Sequence, residues 1–427
     1  MTPAAGLTTR SPPRRSELLH RAAAAVRTPA ARTAIRAFAG TRALVWLIAI
    51  YAAFPLYQHG SVAPRLIVPD PSLGHVGAPF GRLNLLFAPL AKWDALWYLR
   101  IAQDGYSDPH TRGFFPLYPL AVRAVGGFSG SPRVLLVASY VVALGAFAAA
   151  LYLLYRLVNL ELGPTAAKHT VWLIALFPGA FVFGAPYPES LFLLLSVGAF
   201  YAARTERWGV AAVLGLLASA TRTAGVLLIV PLALIYLYGP RARGPTRVRA
   251  GTLAPRHPVR WDAAWIALVP LGLVAFLGYL GFEHGESPGI SDHQVLHRAF
   301  GGGSFFDVVT RGVSGVRDVV AAPHGADFKP VQAVGALGFL AVATAGLVGA
   351  FRRLPVAYGA YGAVVLALIL SRGAVIALPR YLAVVFPLFI WGALFCEERR
   401  ITMPVIAVSA ALLAIFTFQF ASWNFVG

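Results

Sequence analysis

The chain holds one cysteine, Cys396, inside an apolar run, so neither a disulfide framework nor a thiolate metal site is available to it. Charge is scarce as well: only 12% of residues are Asp, Glu, Lys or Arg, against 58% hydrophobic residues and a mean hydropathy of +0.68. That excludes a soluble globular reading. Acids are the scarcest of all, 17 against 36 Lys and Arg, which leaves a net charge of +19. A nucleic-acid partner needs basic residues gathered on one face, whereas here they punctuate the apolar runs. They read as topology signals. Several of those runs approach the length needed to cross about 30 Å of hydrocarbon, so the sequence predicts an all-α, polytopic membrane protein lying in the lipid bilayer.

The first 42 residues carry eight arginines and one acid, Glu17, among Ala, Thr and Pro. We expect residues 1–42 to form a basic, disordered cytoplasmic tail, with residues 43–427 as the transmembrane unit. A cleaved signal peptide fits poorly, because no small-residue cleavage site follows. With the tail cytoplasmic by the positive-inside rule, about eleven crossings follow. Their ends place the arginines of 156–168, 204–207, 241–260, 352–353 and 399–400 on the tail's side. Residues 209–238 are thirty residues interrupted by Thr221, Arg222, Thr223 and Gly225. As one helix they would flip the arginine-rich loop outward, so two short spans or a broken helix are expected, with Arg222 facing a polar cavity.

This topology puts two large loops, 58–133 and 283–330, on the extracytoplasmic face. They hold ten of the 16 acids beyond Glu17. In the first, Leu83–Arg100 and Phe115–Val125 have the pattern of helices lying in the membrane surface. Between them runs KWDALWYLRIAQDGYSDPHTRGFFPLYP, Lys92 to Pro119, in which Asp94 stands between Trp93 and Trp97, followed by Asp104, Tyr106, Asp108, His110, Phe115 and Tyr118. Ionisable groups beside interfacial aromatics in so apolar a chain mark a functional site. Asp94 taken alone is as well explained as a helix N-cap or a partner of Lys92.

WDALWYLRIAQDGY followed by GFFPLYPL resembles the signature of the GPI mannosyltransferase 2 (PIG-V) family and its bacterial relatives, polytopic enzymes of the GT-C glycosyltransferase superfamily. Three further stretches agree in order: APYPESLFLLLSVGAFYAAR, ASATRTAGV and LPRYLAVVFPL. The resemblance implies a GT-C fold and transfer of mannose from a polyprenyl (dolichyl-type) phosphate to a glycolipid, glycan or protein acceptor, with inversion. It assigns Asp94 the role of base. The Ala-, Arg- and Gly-rich composition leans towards a bacterial plasma membrane.

Such a transfer needs a carboxylate on the acceptor side and cations on the phosphate side. Arg222 and Arg380 are the phosphate candidates, since a guanidinium fork suits phosphate oxygens. Arg380, with Arg372 nearby, also fits an interfacial snorkelling role. Tyr381 follows Arg380 in the same stretch. Glu189, after Tyr187 and Pro188, reads equally as a helix-start charge or a site residue, and its YPES context tips it to the site. Asp104 and Asp108 could hold a divalent cation or sugar hydroxyls, or simply form a solvated turn. No other cofactor is implied, and metal dependence is open.

Trp261, Asp262 and Trp265 repeat the WDxxW spacing but lack the GY and FFP sequel and follow the arginine-rich loop. They read as an N-cap and interfacial belt. His293 and His297, one helical turn apart, lack a third zinc ligand in sequence. Other functions stay open: glucosyl or arabinosyl transfer, a lipid-linked-sugar transporter or flippase, or a non-catalytic assembly subunit.

Overall fold

The computed structural model describes residues 28–58, 83–239, 257–283, 314, 317, 330–372 and 377–422. Among these residues every regular element is helical. In chain order they are α1 (Pro29–Gln58), α2 (Asn84–Phe87), α3 (Asp94–Asp104), α4 (Leu117–Val125), α5 (Pro132–Leu162), α6 (Pro164–Leu176), α7 (Glu189–Arg204), α8 (Trp208–Ser219), α9 (Ile229–Tyr238), α10 (Leu271–Glu283), α11 (Pro330–Arg353), α12 (Val356–Ser371), α13 (Leu378–Leu382), α14 (Phe386–Glu398) and α15 (Thr402–Ala421). Tight 3-10 segments Ala88–Leu90, Pro109–Gly113, Pro178–Gly184, Thr223–Leu228 and Trp261–Leu268 join them.

Helix lies over every expected crossing. Four described helices are long and apolar enough to cross a membrane unaided: Pro29–Phe54, Pro132–Leu162, Gly335–Arg353 and Thr402–Ala421. Two bent pairs raise the number to six: α6 with Pro178–Gly184, bent by 80°, and Trp261–Leu268 with α10, bent by 42°. The first bend sits at Pro178, which cannot continue the hydrogen-bond ladder of α6. Pro132, Pro164 and Pro387 start helices, where the missing N–H costs nothing. Trp208–Ser219, Thr223–Tyr238 and Val356–Ser371 are shorter apolar helices, so eleven full crossings are not reached by length alone among the described residues.

Two boundaries differ from expectation. α1 begins at Pro29, so helix already covers the last part of the stretch assigned to a tail; residues 1–27 lie outside the described residues. Ala30, Ala34, Ala37 and Thr41 bury one face at the three- and four-residue spacing of a packed helix. Arg42 is buried too: its Nη1 donates to the Ala180 carbonyl at 2.9 Å, and its guanidinium lies 4.8 Å from the Phe147 ring. It ties α1 to the backbone beyond the Pro178 bend. The loop 283–330, with His293 and His297, lies almost wholly outside the described residues.

The 209–238 stretch is broken, as its sequence demands. α8 ends at Ser219, Arg222 is fully extended (φ −157°, ψ 153°), and the chain returns through Thr223–Leu228 and α9. Trp208 at the start of α8 meets Tyr236 near the end of α9 edge-on, ring centroids 4.8 Å apart, so the two legs run antiparallel and Arg222 sits at the tip. Gly225 is required there, because a Cβ would lie 2.1 Å from the Ala218 carbonyl oxygen. Helix is likewise present within the expected stretch Phe115–Val125: α4 leaves Leu120 and Val125 exposed, with Phe128 just beyond.

Candidate active site

Asp94 opens α3, and the residue before it is strained: Trp93 has φ 55° and ψ −123°. A bulky residue at positive φ is costly and persists only where its surroundings impose it. Those surroundings include Tyr187, whose hydroxyl donates to the Lys92 carbonyl at 2.8 Å, and Lys92 itself, whose ammonium donates to the Ala421 carbonyl at the end of α15. The N-cap position belongs to Trp93, and the ion pair seen for Asp94 is with Arg380, far along the chain.

That pair is part of a four-membered cluster. Arg380 Nη1 donates to Asp94 Oδ2 at 2.6 Å, and Arg380 Nε donates to Glu189 Oε1 at 2.6 Å. Arg222 Nη1 pairs with the same Glu189 oxygen. Four separate places in the chain deliver these groups: the start of α3, the start of α7, the tip between α8 and α9, and α13, which supplies Arg380. α13 is seated by backbone contact, since a Cβ on Gly179 would lie 1.9 Å from the Pro379 carbonyl oxygen. The Arg380 guanidinium lies 4.5 Å from the Tyr187 ring and 5.7 Å from Tyr381, and Arg222 lies 5.4 Å from Tyr381.

Two carboxylates against two guanidinium groups make the cluster formally neutral. Burial is uneven within it. Glu189 is 0% exposed and Arg380 7%, whereas Asp94 is 37% exposed. A fully buried carboxylate is tolerable only when paired this closely. Asp94 stands at the edge of a cleft that it lines together with Tyr98, Phe115, Arg222, Arg380 and Tyr381; Thr221, Thr223 and Arg372 complete its polar wall. The arrangement presents one accessible acceptor of protons beside fixed donors for an anion.

Residues 37–235 match the family model described as Mannosyltransferase (PIG-V). Over that segment, a little under half of the chain, the sequence resembles the PIG-V mannosyltransferase family. It is 28% identical over 251 residues to mouse GPI alpha-1,6-mannosyltransferase 2, covering 53% of this chain and 50% of that protein. A Drosophila melanogaster GPI mannosyltransferase 2 is 33% identical over 116 residues, 25% of this chain and 26% of the relative. The chain thus spans about half the length of the mouse relative it matches. Among solved structures, the Archaeoglobus fulgidus oligosaccharyltransferase is similar at a TM-score of 0.44 and 16% identity, over 78% of this chain and 48% of that one.

Of the residues that the PIG-V resemblance brought forward, Asp94, Phe115, Arg222, Arg380 and Tyr381 come together at the cleft. Glu189 sits behind it, buried. The rest shape the surrounding loop. Trp93 packs partly buried against the main core, and Trp97 stacks on His110 and Phe114 at 6.2 and 5.9 Å. The Tyr106 hydroxyl donates to the Phe114 carbonyl at 2.7 Å, and the Tyr118 hydroxyl to the Ser139 carbonyl at 3.1 Å. Asp104 is exposed at the end of α3. Asp108 accepts from the His110 backbone N–H at 2.8 Å and pairs with Arg100 at 3.0 Å, so it acts as the turn residue of the simpler reading. No trio of His, Cys, Asp or Glu suited to a metal ion occurs among the described residues, and Asp104 and Asp108 do not converge on the cleft.

The second WDxxW stands at the opposite end of the α8–α9 pair. Asp262 accepts from the Tyr236 hydroxyl, which also receives the Arg260 N–H, and Trp261 is 96% exposed. Asp262 lies in the first turn rather than at the N-cap, which is Arg260. Tyr98 and Tyr187 are the site residues that sequence reasoning passed over. Tyr98 lies four residues after Asp94, on the same helix face, which is the signal that could have found it.

Proposed function

We propose that this chain is an inverting, membrane-embedded mannosyltransferase. It takes mannose from a polyprenyl phosphate and passes it to a hydroxyl of a glycolipid, glycan or protein on the extracytoplasmic face, the N-terminus lying in the cytoplasm. The observation that carries the reading is the single cleft in which half-exposed Asp94 stands within reach of two guanidinium groups. In that reading Asp94 accepts the proton of the acceptor hydroxyl as its oxygen bonds to the anomeric carbon. The bond from that carbon to the phosphate oxygen breaks on the opposite face, and its electron pair leaves with the phosphate. Arg380 and Arg222 stabilise the charge there. One base and direct displacement invert the anomeric centre, whereas retention would call for a second carboxylate as nucleophile. Glu189, wholly buried between two arginines, is not placed for that part.

The test is transfer by the purified protein in lipid vesicles supplied with polyprenyl phosphate carrying labelled mannose, glucose or arabinose. Mannosylated product from the native chain and none from Asp94→Asn, with equal insertion, is the expected result. Near-native transfer by both Asp94→Asn and Asp94→Ala would remove Asp94 from the mechanism. Preferential transfer of glucose or arabinose would keep the chemistry and change the sugar. Movement of the lipid-linked sugar across the bilayer without any product would make the chain a transporter. Labelling of Asp104→Cys from the cytosolic side alone would overturn the orientation.

A further inference from the structure

Asp94 and the group proposed to hold the donor's phosphate are already bonded to one another, and this bears on how the reaction starts. Arg380 Nη1 meets Asp94 Oδ2 at 2.6 Å, so the N–H that would reach a phosphate is engaged by the carboxylate that must take a proton. The other engaged edge of Arg380 is closed, because Nε is held by Glu189, which is 0% exposed and also carries Arg222. Glu189 cannot turn away without leaving the Arg222 guanidinium uncompensated and Arg380 with Asp94 alone. Asp94 has no such constraint: it is the half-exposed member, its pair with Arg380 is open to water, and it opens the short helix α3.

Resting on the function proposed above, we infer that Asp94 and a lipid phosphate compete for the same edge of Arg380, so that donor binding itself releases the carboxylate. Charge points the same way. With Asp94 still paired, an arriving phosphate would be the third anion around Arg222 and Arg380. With Asp94 displaced, phosphate and Glu189 share the two arginines, and the carboxylate is left facing the cleft, where an acceptor hydroxyl would lie. The groups around Asp94 are Arg380 from α13, Glu189 and Tyr187 from the start of α7, Tyr98 from its own helix, and Arg222 and Arg372 across the cleft. Among them Arg380 is the cation bonded to it. Arg380 is thus a switch as well as an anion holder: the base becomes available only when there is a donor to attack.

The experiment measures binding of sugar-free polyprenyl phosphate to the purified full chain in nanodiscs. Removing the competitor should tighten binding, so Asp94→Asn is expected to bind at least about five times more tightly than the native chain, and Asp94→Ala likewise. The gain should vanish when Arg380 is Gln in both members of the comparison. It should also shrink with Arg380→Lys, which keeps a charge for Glu189 but has no second edge to share. Binding by Asp94→Asn that is no tighter than native overturns the switch. So does a gain of equal size in the Arg380→Gln background, which would make it simple relief of repulsion. Neither result touches the mannosyltransferase reading, which fails separately if Asp94→Asn still transfers sugar.

Discussion

Helix α7 carries an acid at its first residue and an arginine at its last, about 22 Å apart at 1.5 Å per residue, and each end belongs to a buried ion cluster. At the far end, Arg204 grips both oxygens of Glu161, and the Tyr358 hydroxyl adds a bond to Oε1 at 2.8 Å. Glu161 and Arg204 are 8% and 4% exposed. At the near end, Glu189 is as deeply buried, yet its Oε2 has no hydrogen-bond partner among the described residues, and the cluster extends outward to Asp94 at the rim of a cleft. Burial and pairing are common to both. The difference is that one cluster is saturated and closed over three helices, while the other has an accessible member whose bonds can be exchanged. A closed cluster fastens helices, and an open one can do chemistry.

Breaking each cluster in turn tests that contrast, and the largest effect is expected at Asp94. Asp94→Asn should lower transfer by roughly 10²–10⁴-fold, the range for a lost general base, with a thermal midpoint close to native. Glu161→Gln should do the reverse, lowering the midpoint while the folded fraction keeps its rate. Glu189→Ala should fail on both counts, because it strands Arg222 and leaves Arg380 with Asp94 alone, at a cost of about 3–5 kcal/mol. Denaturant or thermal unfolding beside single-turnover assays would separate the three.

Gly179→Ala sharpens the comparison without touching a charge. Its new methyl must displace the Pro379 carbonyl and hence the segment that holds Arg380. A cost of about 1–3 kcal/mol is expected from such overpacking, with weakened lipid-phosphate binding and the Glu161 cluster undisturbed. Tyr358→Phe removes one hydroxyl from the closed cluster and should cost about 1 kcal/mol with no change in KM. The smallest effect concerns Asp108, outside both clusters. The His110 backbone N–H, then its ring, and the Arg100 guanidinium hold this carboxyl below the usual carboxylate range. A lowered value means that the turn is stabilised above the unfolded carboxylate's range and loses this support as pH falls through the folded value. Hydrogen exchange across residues 105–114 should therefore speed up on acidification more in the native chain than in Asp108→Asn.

Much of the architecture was legible in the residues themselves. Apolar run length marked the helices, and Thr221, Arg222, Thr223 and Gly225 marked a break, because a helix cannot carry a bare arginine and a glycine through lipid without an end nearby. The start of α1 was not legible: arginines at four- to six-residue spacing from Arg27 to Arg42 look like a solvated tail until Ala30, Ala34 and Ala37 are seen to be buried. The site was legible in part. Asp94, Arg222 and Arg380 stood out as charges in an apolar chain, whereas Asp104 and Asp108 behind Asp94 in the motif read either as cation or sugar contacts or as a solvated turn; Asp104 is exposed and Asp108 pairs with Arg100, neither lining the cleft.

The amino-acid sequence by itself determined that this chain is a bundle of apolar helices with its chemistry-bearing residues confined to a few polar breaks, since hydrophobicity and local backbone preference act between near neighbours along the chain. Which of those charges meet was decided only by the tertiary structure. Asp94, Glu189, Arg222 and Arg380 come from four distant turns, and their pairing depends on where Gly179 lets one backbone rest on another and where the α8–α9 tip is placed. Electrostatic partnership falls off with distance in space, and distance in space is the one quantity that spacing along a chain does not carry.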